Sequence, residues 1–308
     1  MKVDLVFEGG GVLGISFVGA LQCLKNHGYK FERCAGTSAG AIVATLVVAG
    51  YSIDELYTIM NGTNYSNFKK AKYYWKIPIP KTYEFLTHKG TYDGENIENW
   101  IRPLLEAKGV TKFKHVMKNG KSRLKIVASD VTKGDMLILP DDLVKYGIDP
   151  EEFDIAKAVR MSASIPFYFT PCILNYKGGS SCIVDGGLLS NFPIWIFDVE
   201  GVPRWPTFGL RFQNMEQKKI KKNCGMFKYI QDIIYAPINI NGERFIRDKD
   251  LVRTITIEYE GIKATDFDEV DNFKDMLFTQ GYKCTKDFLR AWSFERYVAR
   301  IISTYSKV

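Results

Sequence analysis

The first fifty residues alternate short apolar runs with longer apolar segments, and a glycine-containing turn separates each run from the segment that follows. The runs at 3–7 and 29–35 have the length of buried strands. The segments at 15–26 and 39–49 predict helices, and the second is apolar on every face, as is typical of a helix buried between layers. Strand, turn and helix repeated in this order predict a parallel sheet with helical connections.

The remaining chain continues as a mixture of strand-like and helix-like segments. They predict helices at 93–107, 225–246 and 288–305, strands at 124–129, 182–185, 207–212 and 253–259, and a returning hairpin strand at 132–139. No internal repeat and no long linker divides the series. Because 308 residues with 46% hydrophobic content can bury one large core, we predict a single α/β domain over residues 1–308.

Charge and cysteine usage narrow the class of protein. The net charge of +7 fits an ordinary solvated surface or an affinity for anionic surfaces, and we expect no nucleic-acid partner because no recognised binding module accompanies it. The cysteines lack the short spacing of zinc sites, so we expect no metal and no other cofactor. Asp4 and Glu8 interrupt what would be the apolar core of a secretory leader, and the stretch at 41–51 is too short to span a bilayer. We therefore expect a cytoplasmic protein with peripheral membrane contact.

A glycine-rich loop follows the first predicted strand. Gly9, Gly11 and Gly14 spell G-x-G-x-x-G, a pattern of weak specificity by itself. Backbone N–H groups in such a loop can bind the phosphates of a dinucleotide, and they can equally bind the oxyanion of an acyl-transfer reaction. The two interpretations require different residues at the end of the second strand.

The second predicted strand ends in GTSAG, residues 36–40, where a dinucleotide site needs an acidic residue to bind ribose. Glu32 is an acid at a plausible distance, but it falls in the middle of the predicted strand. G-x-S-x-G between a strand and a buried helix is the setting of a nucleophile elbow, whose strained turn exposes the serine. We therefore predict that Ser38 is a nucleophile and that the glycine loop is its oxyanion hole.

Few residues can act as the base that activates Ser38. Among the three histidines, His27 and His115 are expected on the surface, and His88 lies in an irregular segment. This scarcity favours a carboxylate base. Asp185 ends a short apolar strand and precedes two glycines, which would let its carboxylate approach another turn closely; the same DGG sequence also occurs in plain turns.

Four segments in this order, GGGVLG, GTSAG, SASIPFYFTP and DGG, resemble the motifs of the patatin-like phospholipases. The resemblance implies a three-layer α/β sandwich with a mainly parallel central sheet, and a Ser–Asp dyad formed by Ser38 and Asp185. It also implies an oxyanion hole built from the backbone amides of Gly10, Gly11 and Val12. The implied activity is hydrolysis of acyl esters, usually in membrane lipids, without a metal or other cofactor.

Two aromatic segments carry hypotheses about lipid contact. Pro166, Phe167 and Phe169 would either line an acyl groove or belong to the core. Residues 61–90 combine aromatic side chains with lysines, a composition that suits a bilayer interface and also an ordinary surface loop. Our hypothesis for this segment is a lid or a membrane-docking element.

Three functions remain open on these observations. The leading hypothesis is a phospholipase A-type lipid acyl hydrolase, whose partner is a phospholipid or another acyl ester. A transacylase or thioesterase would use the same site on small acyl esters, and a catalytically silent protein would only bind lipid. The presence of Ser38, Asp185 and the glycine loop together argues against the silent protein.

Overall fold

The computed structural model describes residues 1–70, 89–216 and 248–305. The middle of the expected docking segment, residues 71–88, and the whole predicted helix at 225–246 lie outside the described residues. Within the described ranges, no helix combines the length and the apolar character needed to cross a membrane.

In the described part of the chain, eight strands form one central sheet. All strands in chain order are β1 (Lys2–Phe7), β2 (Lys30–Thr37), β3 (Gly90–Tyr92), β4 (Met117–Lys118), β5 (Lys121–Ser122), β6 (Leu124–Asp130), β7 (Asp135–Leu139), β8 (Phe167–Phe169), β9 (Cys172–Tyr176), β10 (Gly179–Asp185), β11 (Thr207–Asn214) and β12 (Thr254–Tyr259). The sheet order is β12-β11-β1-β2-β6-β10-β9, with β7 also paired to β6. The five strands from β12 to β6 are parallel, whereas β7, β10 and β9 each pair antiparallel. The mainly parallel sheet predicted from the sequence is confirmed.

Helices pack around this sheet. They are α1 (Ile15–Asn26), α2 (Ala39–Val48), α3 (Ile53–Gly62), α4 (Glu95–Ala107), α5 (Ile155–Ala163), α6 (Gly187–Ser190), α7 (Asp248–Leu251), α8 (Lys274–Ala291) and α9 (Phe294–Tyr305). The apolar helix α2 lies against β1, β2 and β6, as its all-round hydrophobic pattern predicts. On the opposite face of the sheet, Phe197 packs against Val6 and Ala35 in a smaller cluster.

The C-terminal helices differ from the prediction of one helix at 288–305. Helix α8 begins at Lys274, and the extended backbone of Trp292 separates it from α9. The sequence pattern missed most of α8, residues 274–287, because its buried positions include Lys274, Gly281 and Thr285, which carry no hydrophobic periodicity. Lys274 is satisfied in the interior by the carbonyl oxygens of Asn61 and Thr63.

Helices α1 and α8 cross at two glycines. A Cβ atom on Gly19 would lie 1.9 Å from the carbonyl oxygen of Phe278, and one on Gly281 would lie 1.8 Å from that of Ser16. Both distances are far below van der Waals contact, so the backbones of the two helices touch. Since α1 connects β1 to β2, this crossing fixes helix α8 against the helix that follows the glycine loop.

Candidate active site

Ser38 occupies the turn between β2 and α2. Its backbone dihedrals, φ 54° and ψ −122°, are strained for a residue with a side chain. The turn is tight enough that a Cβ atom on Gly40 would lie 2.4 Å from the carbonyl oxygen of Phe7. The second glycine of the pentapeptide is therefore required by the close approach of α2 to the end of β1.

A buried serine on α5 supports this turn. The hydroxyl of Ser162 accepts the backbone N–H of Ser38 at 2.9 Å and donates to the carbonyl of Val127 at 2.6 Å. Ser162 is fully buried, so both bonds form away from water. In the sequence, Ser162 is the first residue of the SASIPFYFTP motif. Its supporting role could not be predicted, because a serine among small residues gives no indication of which backbone group it will bond.

Asp185 is the last residue of β10, and the turn after it brings the side chain to the carboxyl end of β2. Its Oδ1 atom accepts the N–H of Gly187 at 2.7 Å, and its own N–H donates to the carbonyl of Ser164 at 2.8 Å. Burial raises the pKa of the Asp185 carboxyl group to about 6, against the lowering effect of hydrogen bonds from Ser38 and Gly187. The site therefore makes Asp185 a stronger base than an ordinary aspartate.

The second carboxylate oxygen of Asp185, Oδ2, is buried and has no well-aligned hydrogen bond with any described residue. The Ser38 hydroxyl nevertheless lies close enough to the carboxyl group to lower its pKa. Long or misaligned hydrogen bonds of this kind are common at reactive sites before substrate binds. The structure thus brings the two predicted residues, Ser38 and Asp185, together.

The glycine loop lies at the end of β1, beside the Ser38 turn. Within the described chain, the N–H groups of Gly10 and Gly11 donate no hydrogen bond, whereas the N–H of Val12 donates to the carbonyl of Ala264 at 3.0 Å. Gly11 has φ +53°, and a Cβ atom there would lie 1.9 Å from the same carbonyl oxygen. The amides of Gly10 and Gly11 can therefore receive an anion, while that of Val12 is already bonded; this narrows the expected set of three amides to two.

Two polar residues that the sequence analysis did not assign to the site border the loop. Glu8 directly precedes it and is buried; its Oε2 atom accepts the N–H of Phe212 at 2.6 Å. Asn191, also buried, donates from Nδ2 to Glu8 Oε1 at 3.3 Å, and its backbone carbonyl accepts the N–H of Gly9 at 3.1 Å. In the sequence, Glu8 is notable only as a charged residue that interrupts the apolar core a secretory leader would need. Asn191 lies far from Glu8 in the chain, so their contact could not be predicted.

The aromatic residues expected to contact substrate fall into two groups. Pro166 and Phe167 are half-buried, and Phe167 pairs with Gly90 in the short parallel ladder of β8 and β3. Phe169 is only 1% exposed, and its ring packs against Tyr168 and Phe267. Phe169 is therefore a core residue, whereas the half-buried Pro166 and Phe167 are placed as a groove wall requires.

A large cavity lies away from these residues. It measures about 1,400 Å³ and is lined by Asp4 and Arg33, near the amino ends of β1 and β2, and by neighbouring loops; neither Ser38 nor Asp185 contributes to it. Across the described ranges, no group of three or more His, Cys, Asp or Glu side chains is arranged to hold a metal ion. The chemistry indicated by the sequence therefore concentrates at the carboxyl ends of β1 and β2.

A mainly parallel sheet with a strained serine turn at one strand end and a glycine loop at the next defines a class of α/β esterases and lipases. A family model described as patatin-like phospholipase matches residues 5–198. The chain belongs to this family. The resemblance stated from the four sequence motifs is thereby confirmed.

Curated relatives agree with this assignment. The uncharacterized protein YqhO of Bacillus subtilis is 36% identical over 296 residues, which cover 96% of this chain and 100% of YqhO. The probable lipid hydrolase 463L of Invertebrate iridescent virus 6 is 30% identical over 196 residues, covering 62% of this chain and 61% of the viral protein. The second relative links the family to lipid hydrolysis.

Solved structures show the same fold at low sequence identity. VipD of Legionella pneumophila matches with a TM-score of 0.56 and 18% identity, over 94% of this chain and 66% of VipD. ExoU of Pseudomonas aeruginosa, solved in complex with SpcU, matches with a TM-score of 0.50 and 14% identity, over 96% of this chain and 53% of ExoU. These likenesses confirm the α/β fold with a mainly parallel central sheet.

Proposed function

We propose that this protein is a lipid acyl hydrolase of the phospholipase A type, in which Ser38 is the nucleophile and Asp185 the base. One observation carries the proposal: a strained serine turn and a buried carboxylate with a raised pKa lie together, beside two backbone amides that donate no hydrogen bond within the described residues. The family and the lipid-hydrolase relative support an acyl ester as the substrate.

The proposed reaction uses only these groups. Asp185 Oδ2 accepts the hydroxyl proton of Ser38 as the serine oxygen attacks the ester carbonyl. The N–H groups of Gly10 and Gly11 bind the oxyanion of the tetrahedral intermediate. Collapse of the intermediate leaves the acyl group on Ser38, and the departing alcohol takes the proton from Asp185. A water molecule, deprotonated in turn by Asp185, then releases the fatty acid and restores the serine.

The pKa of Asp185, at about 6, suits this role. A general base is most effective when its pKa approaches the working pH while the base form still predominates. At neutral pH the Asp185 carboxyl group is mostly ionised, and its pKa lies well above the usual value of 3.8. Burial supplies the raised pKa, so no histidine is needed in the proposed mechanism.

A bilayer substrate requires contact between the protein and the membrane. For that contact we propose residues 61–90 as a lid or docking segment. Its support is that Gly90, the last residue of the segment, pairs with Phe167, an expected groove residue.

We also propose that residues 1–308 form a single domain, which is supported by the pairing of β11 with β1 in the central sheet.

The test is the release of fatty acid from mixed phosphatidylcholine and phosphatidylglycerol vesicles, in parallel with a soluble p-nitrophenyl ester. We expect wild type to release fatty acid, and Ser38→Ala and Asp185→Asn each to lose at least about a thousandfold in kcat, because each removes a reacting group. Asp130→Asn is the matched control, since Asp130 is a buried carboxylate in the same sheet, bonded to Tyr146, and we expect it to keep its activity.

Each alternative gives a different result in this assay. If wild type hydrolyses only the soluble ester, the phospholipid assignment is wrong and a small-ester enzyme is indicated. If Ser38→Ala or Asp185→Asn matches an active wild type, the assigned site is wrong. Vesicle sedimentation of the same samples tests the docking segment: charge reversal at Lys69 and Lys70 should reduce binding, and unchanged binding would contradict membrane contact there.

A further inference from the structure

Glu8 is a buried acid that the proposed mechanism does not use. It is 4% exposed and stands between the last residue of β1 and the glycine loop. Its backbone N–H continues the β1–β11 ladder by donating to the carbonyl of Leu210 at 3.0 Å. A buried carboxylate is costly unless its oxygens are hydrogen-bonded, so the partners of this one indicate what it does.

One hydrogen-bond partner of Glu8, Phe212, packs against the glycine loop. The N–H of Phe212 donates to Oε2 at 2.6 Å. The ring of Phe212 lies under Gly10 so closely that a Cβ atom on Gly10 would meet it at 2.2 Å, and the ring is itself stacked on Phe17 with centroids 4.5 Å apart. The carboxylate therefore fixes the residue on which the loop rests.

The other partner connects the loop to the turn that carries Asp185. Asn191 follows α6, the short helix after Asp185, and its Nδ2 atom lies 3.3 Å from both Glu8 Oε1 and the carbonyl oxygen of Gly9. A Cβ atom on Gly9 would lie 2.3 Å from Asn191 Oδ1 and 3.3 Å from the Cβ atom of Ser38. Gly9 is thus held between Asn191 and the serine.

We infer that Glu8 is a positioning residue for the oxyanion loop, which it holds in register with Ser38 and Asp185 through its bonds to Phe212 and Asn191. This inference rests on the proposed function, because it assigns Glu8 a role in the same site. Glu8 itself touches no reacting atom. When Glu8 is ionised, its carboxylate accepts hydrogen bonds from two N–H donors, on Phe212 and Asn191. When Glu8 is protonated, the added proton would point toward one of these donors.

The titration of Glu8 gives the inference a signature in the activity. Burial raises the pKa of Glu8 to about 7, while the Phe212 N–H, Arg211 and Asn191 lower it. Among the described residues, the charged and titratable groups that interact with it from neighbouring strands are Arg211 on β11 and Tyr259 on β12. Burial raises the pKa of Tyr259, and Glu8 raises it further. Loss of activity on acidification should therefore involve a group that titrates above Asp185.

The experiment compares wild type, Glu8→Gln, Asn191→Ala and the double variant on the soluble ester. We expect kcat to fall about 30-fold in each single variant with KM within about twofold, somewhat less than the cost of deleting an oxyanion donor. The double variant should lose little more than either single variant, because both changes break one connection. The wild-type pH profile of kcat/KM, which reports the free enzyme, should contain an inflection near 7 that Glu8→Gln lacks, while the inflection near 6 from Asp185 remains.

Asp4→Asn is the matched control. Like Glu8, Asp4 is a buried carboxylate, and it lies on β1, the strand that Glu8 follows. Its carboxylate accepts hydrogen bonds from Arg33 at 2.5 Å and from Trp205 at 2.8 Å. Asp4→Asn should keep the wild-type kcat and the inflection near 7. Additive losses in the double variant, or wild-type kcat with an unchanged profile in Glu8→Gln, would overturn the inference.

Hydrogen exchange separates this inference from the proposed function. The amides of residues 8–14 should exchange faster in Glu8→Gln than in wild type and in Asp4→Asn, whether or not the protein hydrolyses esters. An inactive wild type with faster exchange in Glu8→Gln would reject the hydrolase and retain the role of Glu8 in holding the loop. Unchanged exchange in a folded Glu8→Gln would reject that role.

Discussion

Ser162→Ala tests whether the strained Ser38 turn is held from beneath. The substitution removes one hydroxyl that accepts the N–H of Ser38 at 2.9 Å and donates to Val127 at 2.6 Å. The Ser38 N–H would then be buried without a partner, which costs about 1–3 kcal/mol. We therefore expect the free energy of unfolding to fall by about 2 kcal/mol.

For a chain of 308 residues, a loss of about 2 kcal/mol corresponds to a fall in the melting temperature of about 3 °C, from the average unfolding entropy per residue. A released turn also moves the nucleophile, and small displacements at a reacting group are costly. We therefore expect kcat on a soluble ester to fall about tenfold. Differential scanning calorimetry and initial rates measure the two effects on the same sample.

Ser129→Ala is the matched control for stability. Ser129 is also a fully buried serine on the central sheet, but its hydroxyl lies 3.5 Å from its acceptor, the carbonyl of Gly186. The same atom is removed, so the difference between the variants isolates the two short hydrogen bonds of Ser162. Equal melting temperatures for Ser162→Ala and Ser129→Ala, with wild-type kcat in Ser162→Ala, would refute the reasoning.

Two further substitutions test the energetics of the fold. The pKa of Asp185 is raised from 3.8 to about 6 in the folded protein, so its contribution to stability is present below pH 3.8 and is lost as the pH rises through 6. Asp185→Asn should therefore raise the free energy of unfolding by up to about 3 kcal/mol at pH 8 and change it little near pH 4. Urea titrations of wild type and variant at the two pH values measure this, and an equal difference between the two proteins at both pH values would disprove it. Gly281→Ala should destabilise by about 3 kcal/mol or more, since its Cβ atom would meet the backbone of α1, whereas Gly62→Ala, with open space around it, should melt at or above the wild-type temperature.

The predicted nucleophile and base could be located from the sequence because each lies in a local pattern with one geometric meaning. Parallel strands joined by helices place the ends of β1 and β2 side by side, so a glycine loop after the first and GTSAG after the second must be neighbours. The order of parallel strands could not locate Asp185, because this residue ends an antiparallel strand. It was predicted from the DGG turn that it begins and from the resemblance to the family motifs.

The groups that support the site could not be predicted in this way. Glu8 meets Asn191 across 183 residues of sequence, and the carbonyl of Ala264 reaches Val12 from the C-terminal part of the chain. Contacts of this kind depend on how distant segments pack. A backbone carbonyl is present in every residue, so the sequence does not show which carbonyl will accept a given hydrogen bond. The narrowing of the expected oxyanion amides to Gly10 and Gly11 comes from such a contact.

The position of β11 has a consequence for fragments of this protein. The family match ends at residue 198, yet β11, residues 207–214, pairs with β1 on the side away from β2. A fragment that stopped at 198 would leave β1 as an edge strand, with five consecutive buried residues beside a row of unpaired N–H and C=O groups. Edges of this kind recruit strands from other chains, so a polypeptide that begins at residue 1 and ends at residue 198 is expected to self-associate.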